Sequence, residues 1–351
     1  MLISYNANNQ KVDQIEEAIK QGTAKYDLTS DDIENARKHG IFLGSYLVYD
    51  FDKWNISQYL SQRDMVGLDF KTRGLTSIVV DKRNLPLLFQ GATHYLPSLN
   101  IAINKGRIQY VIEDGRYQED NFAIKAILEA YIKKYKKLIV KPHNLSKGKG
   151  ISIISEALSE EAFQEILKMD GAIINNVLIN EEYAHKIYPG SLNTIRVNFF
   201  KTKNGSIKAI SMIHRFGSTS DTCVDNFGAG GVAAGIDIET GELMQAFTIR
   251  RKKIVYDQHP KTKVKIAGAK IPDWHNKKRQ IDALLQEINY LDYGGLDIAF
   301  TNEGMKAIEI NKSPSLLGIQ FSEPALIDPE FVEFLKIRGF ERKIQTKKES
   351  R

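Results

Sequence analysis

The sequence predicts an α+β fold, because amphipathic helices and short strands are mixed along the chain. The segments NFAIKAILEAYIKKYKK and KKRQIDALLQEINYL each carry their apolar residues on one helical stripe. Several short strand-like segments lie between them and are joined by brief connections, which favours antiparallel pairing over a doubly wound parallel sheet. A chain of 351 residues is also too long for one simple core and suits two or three sub-domains.

The N-terminal part differs in character from the rest of the chain. Residues 11–64 are polar with scattered apolar positions that indicate short helices, as in KVDQIEEAIKQG, and we expect residues 1–75 to form a mostly helical cap. GLTSIVVDKRN then predicts a short strand over residues 78–80. We assign residues 76–335 to one module, with a first sub-domain at about 76–185 and a second at about 186–335. Residues 336–351 are expected to form a basic tail.

The module itself alternates between predicted strands and helices. LIVK and ISII predict two strands around a loop rich in glycine and lysine, and SEEAFQEILKMDG predicts the helix that follows. NNVLINEEY, LNTIRVNFFKT and SIKAISMIHRF predict further strands. GGLDIAFTNEGMKAIEIN predicts a hairpin of two alternating strands around Thr-Asn-Glu-Gly.

Composition excludes several classes of protein. Hydrophobic residues make up 42% of the chain and charged residues 26%, both ordinary for a soluble globular protein. The single cysteine, Cys223, excludes a disulfide framework and a cysteine zinc cluster. No apolar run is long enough to span a bilayer, and MLISYNANNQ lacks the pattern of a secretory signal. We therefore expect a cytoplasmic protein.

The net charge of +6 is concentrated in two segments, residues 250–270 and 336–351. Such segments can contact nucleic acid, anionic lipid or a phosphorylated substrate. Neither a zinc-finger nor an RNP-type motif accompanies them. We interpret them as solvated surface and expect no nucleic-acid partner.

The segment VKPHNLSKGKGI combines a strand end with a flexible loop. Lys141 ends the predicted strand, and Gly148 and Gly150 allow the loop backbone to approach an anion. Lys147 adds positive charge. The Walker A pattern is absent, so the loop is interpreted as a flap between two strands that covers a nucleotide phosphate. The alternative, a solvated basic hairpin, is equally compatible with this segment alone.

The predicted C-terminal hairpin carries acidic residues on both of its arms. Asp297 lies among apolar neighbours in the first arm, and Glu309 and Asn311 share one face of the second. Carboxylate and amide oxygens suit Mg²⁺, which usually takes one or two carboxylates and completes its shell with water and phosphate. A polar strand face exposed to water is the alternative interpretation. We favour a site for one or two Mg²⁺ ions, with Mn²⁺ as an alternative metal.

Taken together, these segments resemble the ATP-grasp enzymes, and most closely the sugar-transfer-associated ATP-grasp family linked to polysaccharide biosynthesis. The resemblance covers roughly residues 76–325. Six pieces match in order: DK at residues 81–82 with the later GATHYLPSL, the strand-end Lys141, VLINEEYAHKIYPGSLNTIRV, VDNFGAGGVAAGID, LDIAF, and IEINKSPSL. PGSLNTIRV is the most specific of them. The resemblance implies an ATP-grasp fold in which two α+β sub-domains clamp ATP below the helical cap.

The resemblance also assigns roles around the triphosphate. Lys82, Lys141 and Lys147 would contact ATP phosphates, and residues 148–151, which include Gly148, Gly150 and Ile151, would form the flap over the triphosphate. Arg196 and Arg215 would neutralise the transferring phosphate, since arginine can bind it bidentately. Asn226, with the glycine pair at 230–231, would shape the acceptor side. Asp297, Glu309 and Asn311 would hold the magnesium.

The adenosine contacts implied by the resemblance fall on one short segment. Glu181 and Ala184 would offer backbone groups to the adenine edge. Thr194 stands where many members of the superfamily carry an acidic contact to ribose. Glu182 is the substitute that we expect for that contact.

The chemistry that the resemblance implies is ATP-dependent ligation of a carboxylate to an amine or thiol through an acylphosphate. Small-molecule carboxylate and amine substrates would be its partners, with a sugar or nucleotide sugar as a candidate acceptor in cell-surface polysaccharide or amino-sugar modification. Two alternatives stay open, a kinase of the same fold that phosphorylates a hydroxyl and a non-catalytic nucleotide-binding module. A homodimer is compatible with this architecture.

Overall fold

The computed structural model describes residues 2–66, 68, 75–89, 91–118, 123–145, 150–218, 231–312 and 314–340, with side-chain detail from residue 12 onward. Eleven helices are described: α1 Leu2–Gly22, α2 Ser30–His39, α3 Leu43–Tyr46, α4 Thr76–Val80, α5 Leu85–Leu88, α6 Ile124–Tyr135, α7 Glu160–Lys168, α8 Glu182–Ile187, α9 Trp274–Glu287, α10 Leu316–Ile319 and α11 Pro329–Lys336. None of the described helices is both long enough and apolar enough to cross a membrane.

Thirteen strands are described, and each pairs with its neighbours in the antiparallel sense. They are β1 Leu99–Asn104, β2 Arg107–Glu113, β3 Arg116–Tyr117, β4 Lys137–Pro142, β5 Ser152–Ser155, β6 Gly171–Asn176, β7 Ile195–Lys201, β8 Ile207–Phe216, β9 Val232–Ile236, β10 Leu243–Ile249, β11 Lys253–Tyr256, β12 Tyr293–Thr301 and β13 Gly304–Asn311. The α+β class predicted from the sequence is confirmed.

The strands form two separate sheets. The first sheet has six strands in the order β3-β2-β1-β6-β4-β5, and the second has seven in the order β11-β10-β9-β8-β7-β12-β13. The strands of the first lie between residues 99 and 176 and those of the second between residues 195 and 311. The boundary that we propose near residue 185 therefore falls between the two sheets.

Each sheet packs its own helices. The helix α6 buries Ile127, Leu128 and Ile132 in the core of the six-stranded sheet, as its apolar stripe predicts. The helix α9 buries Ile281 and Leu284 in the larger core of the seven-stranded sheet. The amphipathic segments that identify the fold class are thus the helices that cover the two sheets.

The N-terminal helices have a core of their own and are fixed to the module through a buried glutamine. Ile19, Ile41 and other residues of α1 to α3 pack together. The side-chain amide of Gln320, which is 1% exposed, donates hydrogen bonds to the hydroxyl of Tyr49 at 2.7 Å and to the carbonyl of Leu60 at 2.9 Å. Such a fully bonded buried amide fixes the position of the cap on the module.

Two secondary-structure expectations were wrong. Residues 76–80 form the helix α4, in which Val79 is buried while Ile78 and Val80 are exposed. A run of three apolar residues is too short to distinguish a strand from a helical turn. The segment NNVLINEEY is also not one strand, because β6 ends at Asn176 and α8 begins at Glu182.

Candidate functional site

The site begins with two carboxylates on neighbouring strands. In the register of β12 and β13, Asp297 stands opposite Glu309, and a bulge follows between Asp297 and Ile298. Asp297 is 2% exposed. The alternation predicted for the hairpin is therefore present, and it brings the two acidic side chains together in a buried setting.

Two arginines bind Asp297, one from the adjacent strand β7 and one from β8, the strand beyond it. Arg196 of β7 is the cross-strand partner of Asp297 and holds it through two bonds, from Nε to Oδ1 and from Nη2 to Oδ2, the latter at 3.0 Å. Nη2 of Arg215, from β8, lies 3.0 Å from the same Oδ2. Burial alone would raise the pKa of Asp297, but the two guanidinium groups outweigh it and hold the pKa well below its usual range.

Glu309 has the opposite electrostatic environment. Burial raises the pKa of its carboxyl group and the Asp297 carboxylate raises it further, while the Lys82 ammonium acts in the other direction. Nζ of Lys82 lies 3.4 Å from Oε2 of Glu309. The side-chain amide of Asn311 donates to Oε1 of Glu309 at 3.4 Å. The site thus holds two close carboxylates that repel each other when both are ionised.

This donor set fits a hard divalent cation. A cation between Asp297 and Glu309 would relieve the repulsion that raises the pKa of Glu309. No group of three His, Cys, Asp or Glu side chains suited to a metal occurs among the described residues. A metal would therefore take the two carboxylates and the amide oxygen of Asn311, and would leave further positions to water and phosphate, as Mg²⁺ usually does.

Two lysines face the carboxylates from the other side. Lys141, at the end of β4, donates from Nζ to the side-chain oxygen of Asn175 at 2.9 Å. Burial, and then the neighbouring Lys82 ammonium, lower the pKa of Lys141 to about 8. Nζ of Lys82 also donates to the carbonyl oxygen of Leu145 at 2.7 Å. Two cations this close to each other favour an anion between them, which matches the phosphate role expected for both.

A cleft opens beside Lys141. It has a volume of about 370 Å³ and is lined by Ile139 and Ile153 from the first sheet and by residues 177–180 after β6. Within the described part of the chain, the backbone N–H of Leu178 has no hydrogen-bond partner. An apolar cleft with an unpaired backbone N–H group at its edge suits a flat heterocycle such as adenine. The sequence analysis places the hinge farther along the same segment and does not single out residues 177–179, which line this cleft.

The adenosine contacts expected from the sequence are not brought to this cleft. The backbone N–H of Glu181 donates to the carbonyl of Phe300 at 2.9 Å, and its side chain pairs with Lys277. Glu182 is the first residue of α8, and Ala184 is buried inside that helix. The hydroxyl oxygen of Thr194 accepts a hydrogen bond from Nε of Arg215 at 3.0 Å. The backbone N–H of Glu181 and the backbone carbonyls of Glu181 and Ala184 are thus bonded within the protein.

The flap and the acceptor loop are described only in part. Gly150 has a φ of +70°, a conformation that favours glycine, and Ile151 follows it directly before β5. Lys147, Gly148 and Asn226 lie outside the described residues. Their expected roles in phosphate and acceptor binding stay predictions.

Comparison with known proteins identifies one family. The family model described as sugar-transfer associated ATP-grasp matches residues 68–332. No curated protein matches the sequence significantly.

Three of the solved structures that match the chain are named as ligases or synthetases. A D-cycloserine synthetase is 16% identical at a TM-score of 0.44, with 76% of this chain and 72% of that chain covered. The D-alanine–D-alanine ligase of Bacillus anthracis is 12% identical at a TM-score of 0.39, with 75% and 71% covered. The D-alanyl-alanine synthetase A of Vibrio cholerae is 10% identical at 0.43, with 75% and 66% covered. Because all three TM-scores lie below 0.5, the family match carries the identification.

Proposed function

Since the chain belongs to the sugar-transfer associated ATP-grasp family, we propose that it is an ATP- and Mg²⁺-dependent ligase that joins a carboxylate to an amine or a thiol. The observation that carries this proposal is the pairing of Asp297 and Glu309 opposite Lys82 and Lys141. A bound nucleoside triphosphate needs carboxylates that hold its metal and cations that bind its phosphates, and this site has two of each. The apolar cleft beside Lys141 supplies the room for the base.

The proposed reaction has two steps. An oxygen of the substrate carboxylate attacks the γ-phosphorus of ATP, and the bond to the bridging oxygen breaks, which gives an acylphosphate and ADP. The lone pair of an amine then attacks the acyl carbon, the amine loses a proton, and inorganic phosphate leaves with the bonding electrons. When bound, Mg²⁺ supplies charge neutralisation at the phosphates. No covalent nucleophile on the protein is required.

The residues of the site support this chemistry through charge and alignment. Lys82 and Lys141 would bind phosphate oxygens, and Asp297, Glu309 and Asn311 would hold the metal. Each phosphoryl oxygen carries negative charge in the transition state, so the guanidinium groups of Arg196 and Arg215 are suited to stabilise it. Since both arginines contact Asp297, the metal ligand and the two cations are positioned as one unit.

Because the family is described as sugar-transfer associated, we further propose a role in cell-surface polysaccharide or amino-sugar modification, with a sugar or nucleotide sugar as the acceptor. A cytoplasmic location and a homodimer complete the proposal. The proposal also includes the division of the chain into a cap at 1–75, two sub-domains that meet near residue 185, and a basic tail at 336–351.

Product analysis tests this proposal directly. The purified protein is incubated with ATP, Mg²⁺, a pool of carboxylic acids and a panel of amino sugars, and the products are followed by phosphorus NMR and mass spectrometry. We expect ADP and inorganic phosphate only when an acid and an amine are both present, and no products from a Glu309→Gln variant. A stable phosphate ester would instead identify a kinase. Tight nucleotide binding without turnover of any acid would identify a binding module.

A further inference from the structure

A large cavity lies between the cap and the second sheet. Its volume is about 1070 Å³, at the upper end of the range for small-molecule sites and well above the 370 Å³ of the nucleotide cleft. Helices α1 and α3 form one wall, and residues 314–317, together with Tyr293, form the other. It is therefore a second site, distinct from the cleft beside Lys141.

The lining of this cavity is apolar with a bias toward positive charge. Ile15, Leu43, Met65, Tyr293 and Leu316 are among the apolar side chains that face it. The charged side chains among its described lining residues are two lysines, at positions 25 and 312, and no carboxylate is among them. Charge complementarity therefore favours an anion that carries a large apolar body.

The position of Lys312 connects the cavity with the reactive site. Lys312 directly follows Asn311, the last of the three residues that we assign to the metal. No carboxylate lies within ion-pair distance of Lys312 in the described part of the chain. Because Lys312 lines the cavity and follows the end of β13, an anionic group bound to it would lie beside that strand end, with its apolar body directed toward the cap.

We propose that this cavity binds the carboxylate substrate, and that this substrate is an acid with a large aliphatic or aromatic body rather than a small amino acid. The inference rests on the proposed ligase function for its chemical meaning. The binding of an apolar acid between α1 and residues 314–317, with its carboxylate toward Lys312, can be measured without turnover.

Isothermal titration calorimetry of straight-chain acids with the 351-residue protein tests the site. Burial of each methylene contributes roughly a fourfold gain in affinity, so affinity should rise steeply from hexanoate to octanoate to decanoate. Alanine and acetate should not bind measurably. Decanol should bind at least about tenfold more weakly than decanoate, since it cannot pair with Lys312. Equal affinity for acetate and decanoate, or no binding of decanoate and 4-phenylbutanoate, would overturn the proposal.

A matched pair of variants locates the binding. Ala18 lines the cavity from α1, whereas Asp13 lies exposed on the same helix and does not line it. Ala18→Trp should place an indole in the cavity and lower decanoate affinity at least about tenfold, while Asp13→Trp should bind decanoate as the wild type does. Thermal melting of both variants verifies that each is folded. Equal affinity in the two variants would place the acid elsewhere.

Trapping with hydroxylamine separates this inference from the proposed function. An acylphosphate reacts with hydroxylamine to give a hydroxamate and inorganic phosphate, so acid activation is visible without the natural acceptor. Hydroxamate formed from decanoate by the wild type and Asp13→Trp, but not by Ala18→Trp, supports both proposals. Hydroxamate formed preferentially from alanine retains the ligase and overturns the substrate class. Decanoate binding that Ala18→Trp abolishes, without hydroxamate from any acid, retains the site and overturns the ligase.

Discussion

Lys141 illustrates how a single half-buried residue prepares a site for its ligand. Its ammonium group is held by one neutral partner, the side-chain oxygen of Asn175 at 2.9 Å, rather than by a carboxylate. Burial and the neighbouring Lys82 lower its pKa to about 8, compared with about 10.4 for an unperturbed lysine. A buried cation without a charged partner is unfavourable until an anion arrives, so a phosphate is attracted to this position.

Replacement of Lys141 by alanine should weaken ATP binding. A charge-assisted hydrogen bond contributes about 1.5–3 kcal/mol, so we expect the dissociation constant for ATP to rise roughly 10- to 150-fold. Lys137→Ala, an exposed position on the same strand, should leave the affinity unchanged. Isothermal titration at pH 7 measures both, and an unchanged affinity in Lys141→Ala would remove this residue from the phosphate site.

The pKa of Lys141 also predicts a proton linkage. At pH 9, above the pKa of about 8, the free protein holds this lysine mostly neutral, and the phosphates favour its protonated form. ATP binding should therefore take up a fraction of a proton at pH 9 and little at pH 7. Titrations in two buffers with different ionisation enthalpies detect this uptake. It should disappear in Lys141→Ala, and uptake that persists there would belong to another group.

Glu309 should show that a functional residue can destabilise the fold that carries it. Its pKa is raised because burial and the Asp297 carboxylate disfavour the ionised form in the folded state, so the stability that the protonated form contributes below the unfolded pKa is lost as pH rises. We expect Glu309→Gln to keep or increase the free energy of unfolding at pH 7 in urea while it abolishes Mg²⁺-dependent turnover. Metal binding can be followed separately by Mn²⁺ EPR in the presence of ADP. An exposed control, Glu239→Gln, should change none of these quantities.

At the scale of the elements, the strand register of β7, β8 and β12 assembles the charged cluster. Asp297 stands opposite Arg196 across one strand pair, and Arg215 reaches it from the next strand. Removal of Asp297 would leave two guanidinium groups without their carboxylate. The cluster is therefore structural as well as functional, and its loss should be visible in stability.

Asp297→Ala should lower the free energy of unfolding by about 3–5 kcal/mol at neutral pH, because it breaks a buried ion pair. Glu333→Ala breaks the exposed pair with Lys203 and should cost at most about 1 kcal/mol. The folded-state pKa of Asp297 is lowered, so its contribution is present above the unfolded value of about 3.9 and is lost as pH falls through the folded pKa. Urea titrations from pH 7 to pH 3 should show the difference between wild type and Asp297→Ala shrinking below about pH 4, and a difference that grows on acidification would contradict this assignment.

The elements that can be predicted from the sequence are those with a long apolar stripe or a strict alternation of apolar and polar residues. The β12–β13 hairpin follows from strict alternation, and α6 and α9 follow from apolar stripes over three turns or more. The short helix α4 was not predictable, because an apolar run of three residues is compatible with the period of a helix and with that of a strand. Its helical conformation depends on packing of Val79 against the core of the second sheet, which only the folded molecule supplies.

The site was predictable in its chemistry and less so in its positions. The lysine at a strand end indicated Lys141, and acidic residues alternating with apolar ones along the hairpin indicated Asp297 and Glu309. The contacts of Arg196 and Arg215 with Asp297 depend on register between strands that are about a hundred residues apart in sequence. The cleft formed by residues 177–179 depends on where β6 ends relative to the other sheet. Neither the register of these strands nor the position of this cleft can be inferred from a local sequence pattern.

On the scale of the whole molecule, the nucleotide cleft draws on the connection between the two sheets as well as on the first sheet. Residues 177–180 leave β6 and reach the second sheet through an isolated bridge between Asn180 and Thr301. Ile139 and Ile153 line the same cleft from the first sheet. A nucleotide in this position would contact both halves of the module and would restrict their relative opening.

Hydrogen exchange with and without Mg²⁺-ATP measures this coupling. We expect slower exchange for the backbone of residues 177–180, where the N–H of Leu178 has no partner within the described chain, and for β4, which ends at Lys141. The helix α2, Ser30–His39, lies in the cap core and serves as an internal reference whose exchange should not change. In Lys141→Ala, protection at both places should require a higher ATP concentration, by the same factor as the loss of affinity. Protection confined to the second sheet would mean that the nucleotide does not lie in this cleft, and the two sheets would then not act together as a clamp.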